Sequence, residues 1–309
     1  MQLKQLLVNI ALSFLIYSSV TADEIAPIGS ATNPLKMSVI PYAKDGKLAI
    51  QNIKPLYDAI TDESGIHFKL SYGKSYSAVM EAFCNQQIQL ALFDTFTYGE
   101  VRKKCLKLAE ILAAEIKGGS SNFYSGIFVR KGNNLNTLKD LTGKSIALGA
   151  KYSTSSFNFP VSMLIKDGID PINDFEHIFV TGSHSASINA LKTGKAMAAG
   201  ASFGAWISAV SKENIDPLYF KPLAKSSPIP NDPIVMNKNL PKALKKNLRK
   251  TFSIIHAKLS SDELVDLRGA KIDRYDVDVG EQVYINSLKE LEVVTEKVKK
   301  SILEKANQH

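Results

Sequence analysis

Four consecutive hydroxyl-bearing residues, Ser153, Thr154, Ser155 and Ser156, follow an apolar segment at 145–150 and precede a helical pattern at 157–166. Hydroxyls donate hydrogen bonds without carrying charge, and the first N–H groups of a helix have no partner within it. With the helix dipole added, a passage from strand through hydroxyls into helix suits the oxygens of a small anion. Helix capping would use one such hydroxyl; four in a row exceed that need. A second passage of the same make follows at Thr181-Gly182-Ser183-His184-Ser185. Its His184 can donate to an oxyanion and could sense the ligand's protonation state.

Both turns need a scaffold that brings them together. Strand-like segments at 35–40, 67–71 and 90–93 alternate with helical patterns at 51–63 and 75–86. The alternation resumes at 126–130, 145–150, 179–180 and 196–201, again with helices between. This spacing predicts an α/β chain with mostly parallel sheets, whose ligands bind at the carboxyl ends of the strands. One passage near Tyr124 and a return near Ser226, through Pro228, Pro230 and Pro233, divide the chain into two lobes. Residues 23–124 begin the first lobe and 125–225 form the second. Residues 226–309 return to the first lobe and add C-terminal helices. Residues 23–34 read as an unstructured lead.

Residues 1–22 carry the marks of an export signal: Lys4, an apolar run from Leu6 to Ile16, and small residues before Asp23. With no cysteine beside that cleavage point, the mature chain is expected in the periplasm without a lipid anchor. The net charge of +8 comes chiefly from dispersed lysines, which argues for a solvated basic surface and against nucleic-acid binding. The two cysteines, Cys84 and Cys105, could form a bridge in an exported chain or sit as two small buried residues. Catalysis finds little support. Gly143-Lys144-Ser145 lacks the upstream glycine of a phosphate loop, since Leu138 stands there. The five histidines have no metal-ligand spacing, no strained elbow surrounds Ser155, and no cofactor is expected.

Four stretches resemble the substrate-binding proteins of ABC transporters for phosphate, phosphite and phosphonate. They are Tyr76 to Ala82, Leu148 to Ser156 ahead of Pro160, Thr181 to Ala186, and the proline-rich run from Ser227 to Ile234. The resemblance implies a two-lobed type II periplasmic-binding-protein fold that closes on a phosphorus oxyanion and delivers it to a membrane permease. It also implies a monomer rather than an enzyme; a sensor of the same fold facing a membrane receptor is the alternative. Ser153, Thr154, Ser155 and His184 match its ligand positions in the second lobe, and Tyr76 and Tyr124 match ligand-facing tyrosines. Asp94, Thr95 and Tyr98, in the turn after 90–93, are expected to border the cleft. Asp94 departs from the family's usual glycine. It could cap the next helix or accept a hydrogen bond from a protonated ligand. Ser185 and Met197 replace carboxylates that bind an ammonium group elsewhere in the family, so the expected ligand is phosphite, phosphate or a small alkylphosphonate.

Overall fold

The computed structural model describes residues 26–41, 45–212, 215–216 and 219–308, and the export signal expected at 1–22 lies outside them. The first lobe starts with β1 (Leu35–Val39), α1 (Gly46–Ser64), β2 (Phe68–Tyr72), α2 (Tyr76–Cys84), β3 (Leu90–Leu92), α3 (Thr95–Cys105) and β4 (Ala109–Ile116). Strand β5 (Asn122–Phe123) then leads across to β6 (Ser125–Arg130). The second lobe continues through β7 (Ser145–Leu148), a π-turn at Thr154–Asn158, α4 (Phe159–Lys166), β8 (His177–Val180), α5 (His184–Thr193), β9 (Ala198–Ser202), α6 (Phe203–Lys212) and β10 (Phe220–Lys225). The chain returns by β11 (Ile229–Pro230), which pairs with β5, and by β12 (Pro233–Asn237). It then adds α7 (Lys242–Ile254), β13 (Arg274–Asp276), α8 (Glu281–Lys289) and α9 (Glu296–Ala306).

The six-stranded sheet of the first lobe has the order β13-β4-β12-β3-β1-β2, and the five-stranded sheet of the second has β10-β6-β9-β7-β8. Parallel pairing, expected to dominate, joins only β2-β1-β3 in one lobe and β8-β7-β9 in the other. The reason is the double crossing. Strands β12 and β6 enter from the hinge and run away from the cleft, so they pair antiparallel with β3 and β9, which run toward it. Every strand ahead of a candidate site turn (β2, β3, β7, β8 and β9) keeps its carboxyl end at the cleft.

Each sheet is covered on both faces by apolar clusters, with Leu35, Met37, Leu56 and Phe252 in the first lobe and Ile146, Leu148, Phe157 and Val161 in the second. Residues 26–34, expected to be unstructured, are a packed turn. Gly29 adopts φ 92°, its carbonyl accepts from the His67 N–H at 2.8 Å, and Ile28 lies against the first core. Helix α9 turns away from the first lobe. Val294, Val298 and Ile302 join the core of the second, and the Lys305 ammonium caps the carbonyls of Ile172 and Phe175. On its other side the Lys299 ammonium lies 3.9 Å from the Phe96 ring centroid, so α9 spans both lobes behind the hinge.

Cys84 and Cys105 form a disulfide, with Cα atoms 5.6 Å apart. It ties together the carboxyl ends of α2 and α3, whose amino ends face the cleft.

Candidate functional site

The two hydroxyl turns lie side by side because β7 and β8 are parallel neighbours in register, Leu148 opposite Val180. The Thr181 N–H and hydroxyl both donate to the Leu148 carbonyl, at 2.8 and 3.0 Å. Gly149 makes the approach close enough. A Cβ there would lie 2.0 Å from the Ser156 hydroxyl oxygen and 3.6 Å from the Ser183 carbonyl carbon. Gly149→Ala is therefore expected to push Ser156 off its position, at a cost of about 1–3 kcal/mol. Paired thermal unfolding and anion titrations check this; an unchanged variant would mean the turn has slack.

Within the first turn the four hydroxyls divide their work. The Ser153 hydroxyl caps the π-turn, accepting from the Ser156 N–H at 3.3 Å and the Ser156 hydroxyl at 2.8 Å, and it lies near the Tyr76 hydroxyl. Thr154 faces the first lobe: its N–H donates to Asp94 Oδ2 and its hydroxyl accepts from the Phe96 N–H, both at 2.8 Å. Ser155 holds the turn to the hinge through its carbonyl, which accepts from the Ser125 hydroxyl at 2.8 Å. The Ser155 hydroxyl has no hydrogen bond among the described residues, so it is the free donor of the run.

In the second turn the Ser183 hydroxyl caps α5, accepting from the Ala186 N–H at 3.2 Å. The Ser202 N–H donates to His184 Nδ1 at 3.2 Å. Nδ1 is thus an acceptor, which leaves the proton of the neutral ring on Nε2 as a donor. Burial, aided by the positive charge of Arg268, holds the imidazole pKa down to about 3. This corrects the expectation of a protonation sensor: the ring is neutral across the physiological range and acts as a fixed donor.

From the first lobe, Tyr76 opens α2 behind the Ser75 cap and reaches Ser153. Tyr124 sits partly buried at the crossing, with the Lys225 ammonium 3.7 Å from its ring centroid and the Phe203 ring beside them. Asp94 is buried, 3% exposed, and of the two roles considered for it the structure has the helix cap. Its Oδ1 caps α3, accepting from the Thr97 N–H at 2.8 Å and the Thr97 hydroxyl at 2.7 Å, while Oδ2 reaches Thr154 across the cleft. Burial pushes its carboxyl pKa up, and the donated hydrogen bonds pull it part of the way back.

Two residues expected to border the cleft have their hydroxyls bonded elsewhere. The Thr95 hydroxyl is spent on the Pro230 carbonyl of the hinge at 3.1 Å. The Tyr98 ring packs on Tyr284, and its hydroxyl donates to Glu281 of α8 at 2.7 Å. Both lie on α3, and the helical turn carries them to its rear and hinge sides once Asp94 fixes the cap. Sequence reading missed Ser202, which sets the His184 tautomer, and Phe96, whose backbone N–H meets Thr154. The first had a legible signal, a small residue between the apolar strand at 196–201 and Phe203; the second acts through its backbone and left none. A charged floor was missed too: Glu115, Lys117, Asp232, Asp266 and Arg268 gather at the cleft end of β4 and β12. Among the described residues no group of three or more His, Cys, Asp or Glu side chains is placed to hold a metal ion, and none of their helices is long and apolar enough to cross a membrane.

Two lobes joined by crossing strands, with the candidate turns facing each other between them, define a fold of the periplasmic-binding type. Residues 37–276 match the family model described as the periplasmic substrate-binding protein of phosphonate ABC transporters, and the chain belongs to that family. It is a binding component, not an enzyme. A phosphate-import protein, PhnD, of Mycolicibacterium smegmatis is 29% identical over 119 residues, 37% of this chain and 36% of that relative. The matched part thus spans about a third of the relative's length. Among solved structures, PhnD1 of Prochlorococcus marinus in complex with methylphosphonate superposes with a TM-score of 0.72 at 18% identity, over 84% of this chain and 97% of that one. A binding protein component of a phosphonate ABC transporter from Pseudomonas aeruginosa gives 0.65 at 16%, over 90% and 98%. At those identities the two structures establish the shared two-lobed fold.

Proposed function

We propose that this chain captures a small phosphorus oxyanion, namely phosphite, phosphate or a small alkylphosphonate, between its lobes and delivers it to an ABC transporter permease. It works as a monomer in the periplasm once residues 1–22 are removed. The binding set is Ser153, Thr154, Ser155 and His184 from the second lobe with Tyr76 and Tyr124 from the first, and Asp94 adjoins it. The observation that carries this reading is the hydrogen bond from the Thr154 N–H to the Asp94 carboxylate. It supports the reading because the N–H at the start of the π-turn already donates to a carboxylate oxygen, with the unused Ser155 hydroxyl and the His184 Nε2–H as further neutral donors. Charge-assisted bonds to such donors hold an oxyanion without a permanent cation. Ser185 and Met197 offer no carboxylate, which favours a ligand without an amine.

Calorimetry with phosphite, phosphate, methylphosphonate and aminoethylphosphonate tests the proposal. Binding of one of the first three in preference to the last is expected; no binding, or preference for the amine, would sink it. Ser155→Ala and His184→Ala should each cost about 1–3 kcal/mol of affinity. Because the imidazole is neutral, the loss at His184 should be the same factor from about pH 5 to 8. A loss that vanishes at high pH would show that the charged ring is the donor.

A further inference from the structure

One feature of the cleft is not accounted for by capture alone: a carboxylate of the protein stands where the ligand's negative charge would go. Capping α3 requires only Oδ1 of Asp94, which takes both the N–H and the hydroxyl of Thr97. Oδ2 does something a cap does not need. It crosses to the other lobe and takes the N–H of Thr154, the first donor of the π-turn. The contact is reciprocal, since the Phe96 N–H at the start of α3 donates to the Thr154 hydroxyl at 2.8 Å. Thr154 therefore has its N–H and its hydroxyl oxygen committed to the first lobe. Asp94 is buried, and no lysine or arginine forms an ion pair with it among the described residues.

We propose that Asp94 is a built-in competitor for the anion site, one that latches the lobes to each other and lowers affinity most for doubly charged ligands. This rests on the capture reading above. The Thr154 N–H serves one anionic oxygen at a time, so a ligand oxygen gains this donor only when the Asp94 carboxylate leaves it. A carboxylate and an oxyanion side by side in a site shielded from water repel, and the repulsion grows with ligand charge. The same residue that completes α3 thus selects for singly charged oxyanions. The hydrophobic contact behind it, Phe96 stacked on Tyr152 at 6.3 Å, supports the closed arrangement without using any group of the trap.

Two variants separate the parts. Asp94→Asn keeps a carbonyl oxygen for the Thr97 cap and removes the charge; Asp94→Ser also caps but is too short to reach Thr154. Calorimetry with methylphosphonate, phosphite and phosphate at fixed salt should show affinity rising by about tenfold or more in both. The gain should be larger at a pH where the ligand is doubly charged. Small-angle scattering of the ligand-free proteins should show Asp94→Ser more extended than the wild type. Melting curves confirm that each variant is folded. Wild-type binding with no gain in either variant would overturn the competitor while leaving capture intact. Variants that bind where the wild type does not would support the competitor. No binding by any of the three proteins would remove both readings, and equal scattering curves would overturn the latch.

Discussion

Replacing Lys117 by Met is expected to cost about 3 kcal/mol of folding stability, read as a lower midpoint of urea unfolding at unchanged slope. Lys117 Nζ lies 2.5 Å from Glu115 and 2.6 Å from Asp266, and both carboxylates are buried, with side chains 5% and 4% exposed. Removing the ammonium leaves two acids facing each other with little water and only Arg268, 3.0 Å from Asp266, as a remaining cation. The lost attraction is smaller than the penalty for the charges left behind, which is why breaking a buried pair costs more than the pair contributes. The direction with pH follows from the shifts. Lys117, Arg268 and the Ala270 N–H hold Asp266 well below the usual carboxylate range despite its burial. A depressed carboxyl contributes stability above its unfolded value of about 4, and that share is lost as acid approaches the folded value. The wild type should therefore lose the share due to Asp266 below about pH 4, partly offset by Glu115, whose carboxyl burial pushes up, and Lys117→Met should lose less of the Asp266 share there. Adding Glu115→Gln to Lys117→Met should recover part of the loss, because one stranded charge is gone. A cost under about 1 kcal/mol would mean that water reaches the cluster freely.

The cluster also explains why half of the cleft was illegible in sequence. Ser153 to Ser156 and Ser183-His184 announce themselves because their chemistry is local: hydroxyls, a strand before and a helix after. Glu115, Asp232 and Asp266 come from three remote segments, brought together by the antiparallel insertion of β12 between β3 and β4 and by the pairing of β13 with β4. That insertion is a consequence of the chain crossing twice, and hydrophobic periodicity carries no information about strand order. Strand β4 itself has near-continuous burial from Ile111 to Ile116, a run that period-two alternation does not reveal. The turn after β3 was legible in kind but not in detail. Asp94 was open to two readings, helix cap or acceptor for a protonated ligand; one oxygen caps α3, and the other meets Thr154, a partner neither reading named. The misplaced Thr95 and Tyr98 follow from the same limit, since a span of residues near a strand end does not say which way a helix will roll.

Opening the Cys84–Cys105 bridge, by Cys84→Ser with Cys105→Ser, should lower stability by about 3 kcal/mol and also weaken anion binding. The first effect follows from the unfolded chain: a link between residues 21 positions apart restricts its freedom by roughly that amount at 25 °C. The second follows from where the link lies. Helix α2 runs from Tyr76 at the cleft to Cys84 at its far end, and α3 runs from the Asp94 cap to Cys105. Joined at their carboxyl ends, the two helices hold Tyr76, the donor they bring to the cleft, in a fixed place beside the hydroxyl turn. Without the link, Phe83 against Phe93, at 5.7 Å between ring centroids, and the packing of Val79, Met80 and Val101 still hold the helices together. The fold should therefore persist while the amino ends gain freedom that the ligand must remove on binding. Urea unfolding measures the first effect and calorimetry with the preferred oxyanion the second, and wild type held in a reductant should reproduce both. If stability falls but affinity does not, the bridge acts on the unfolded chain alone, and the packing of α2 on α3 is enough to place Tyr76.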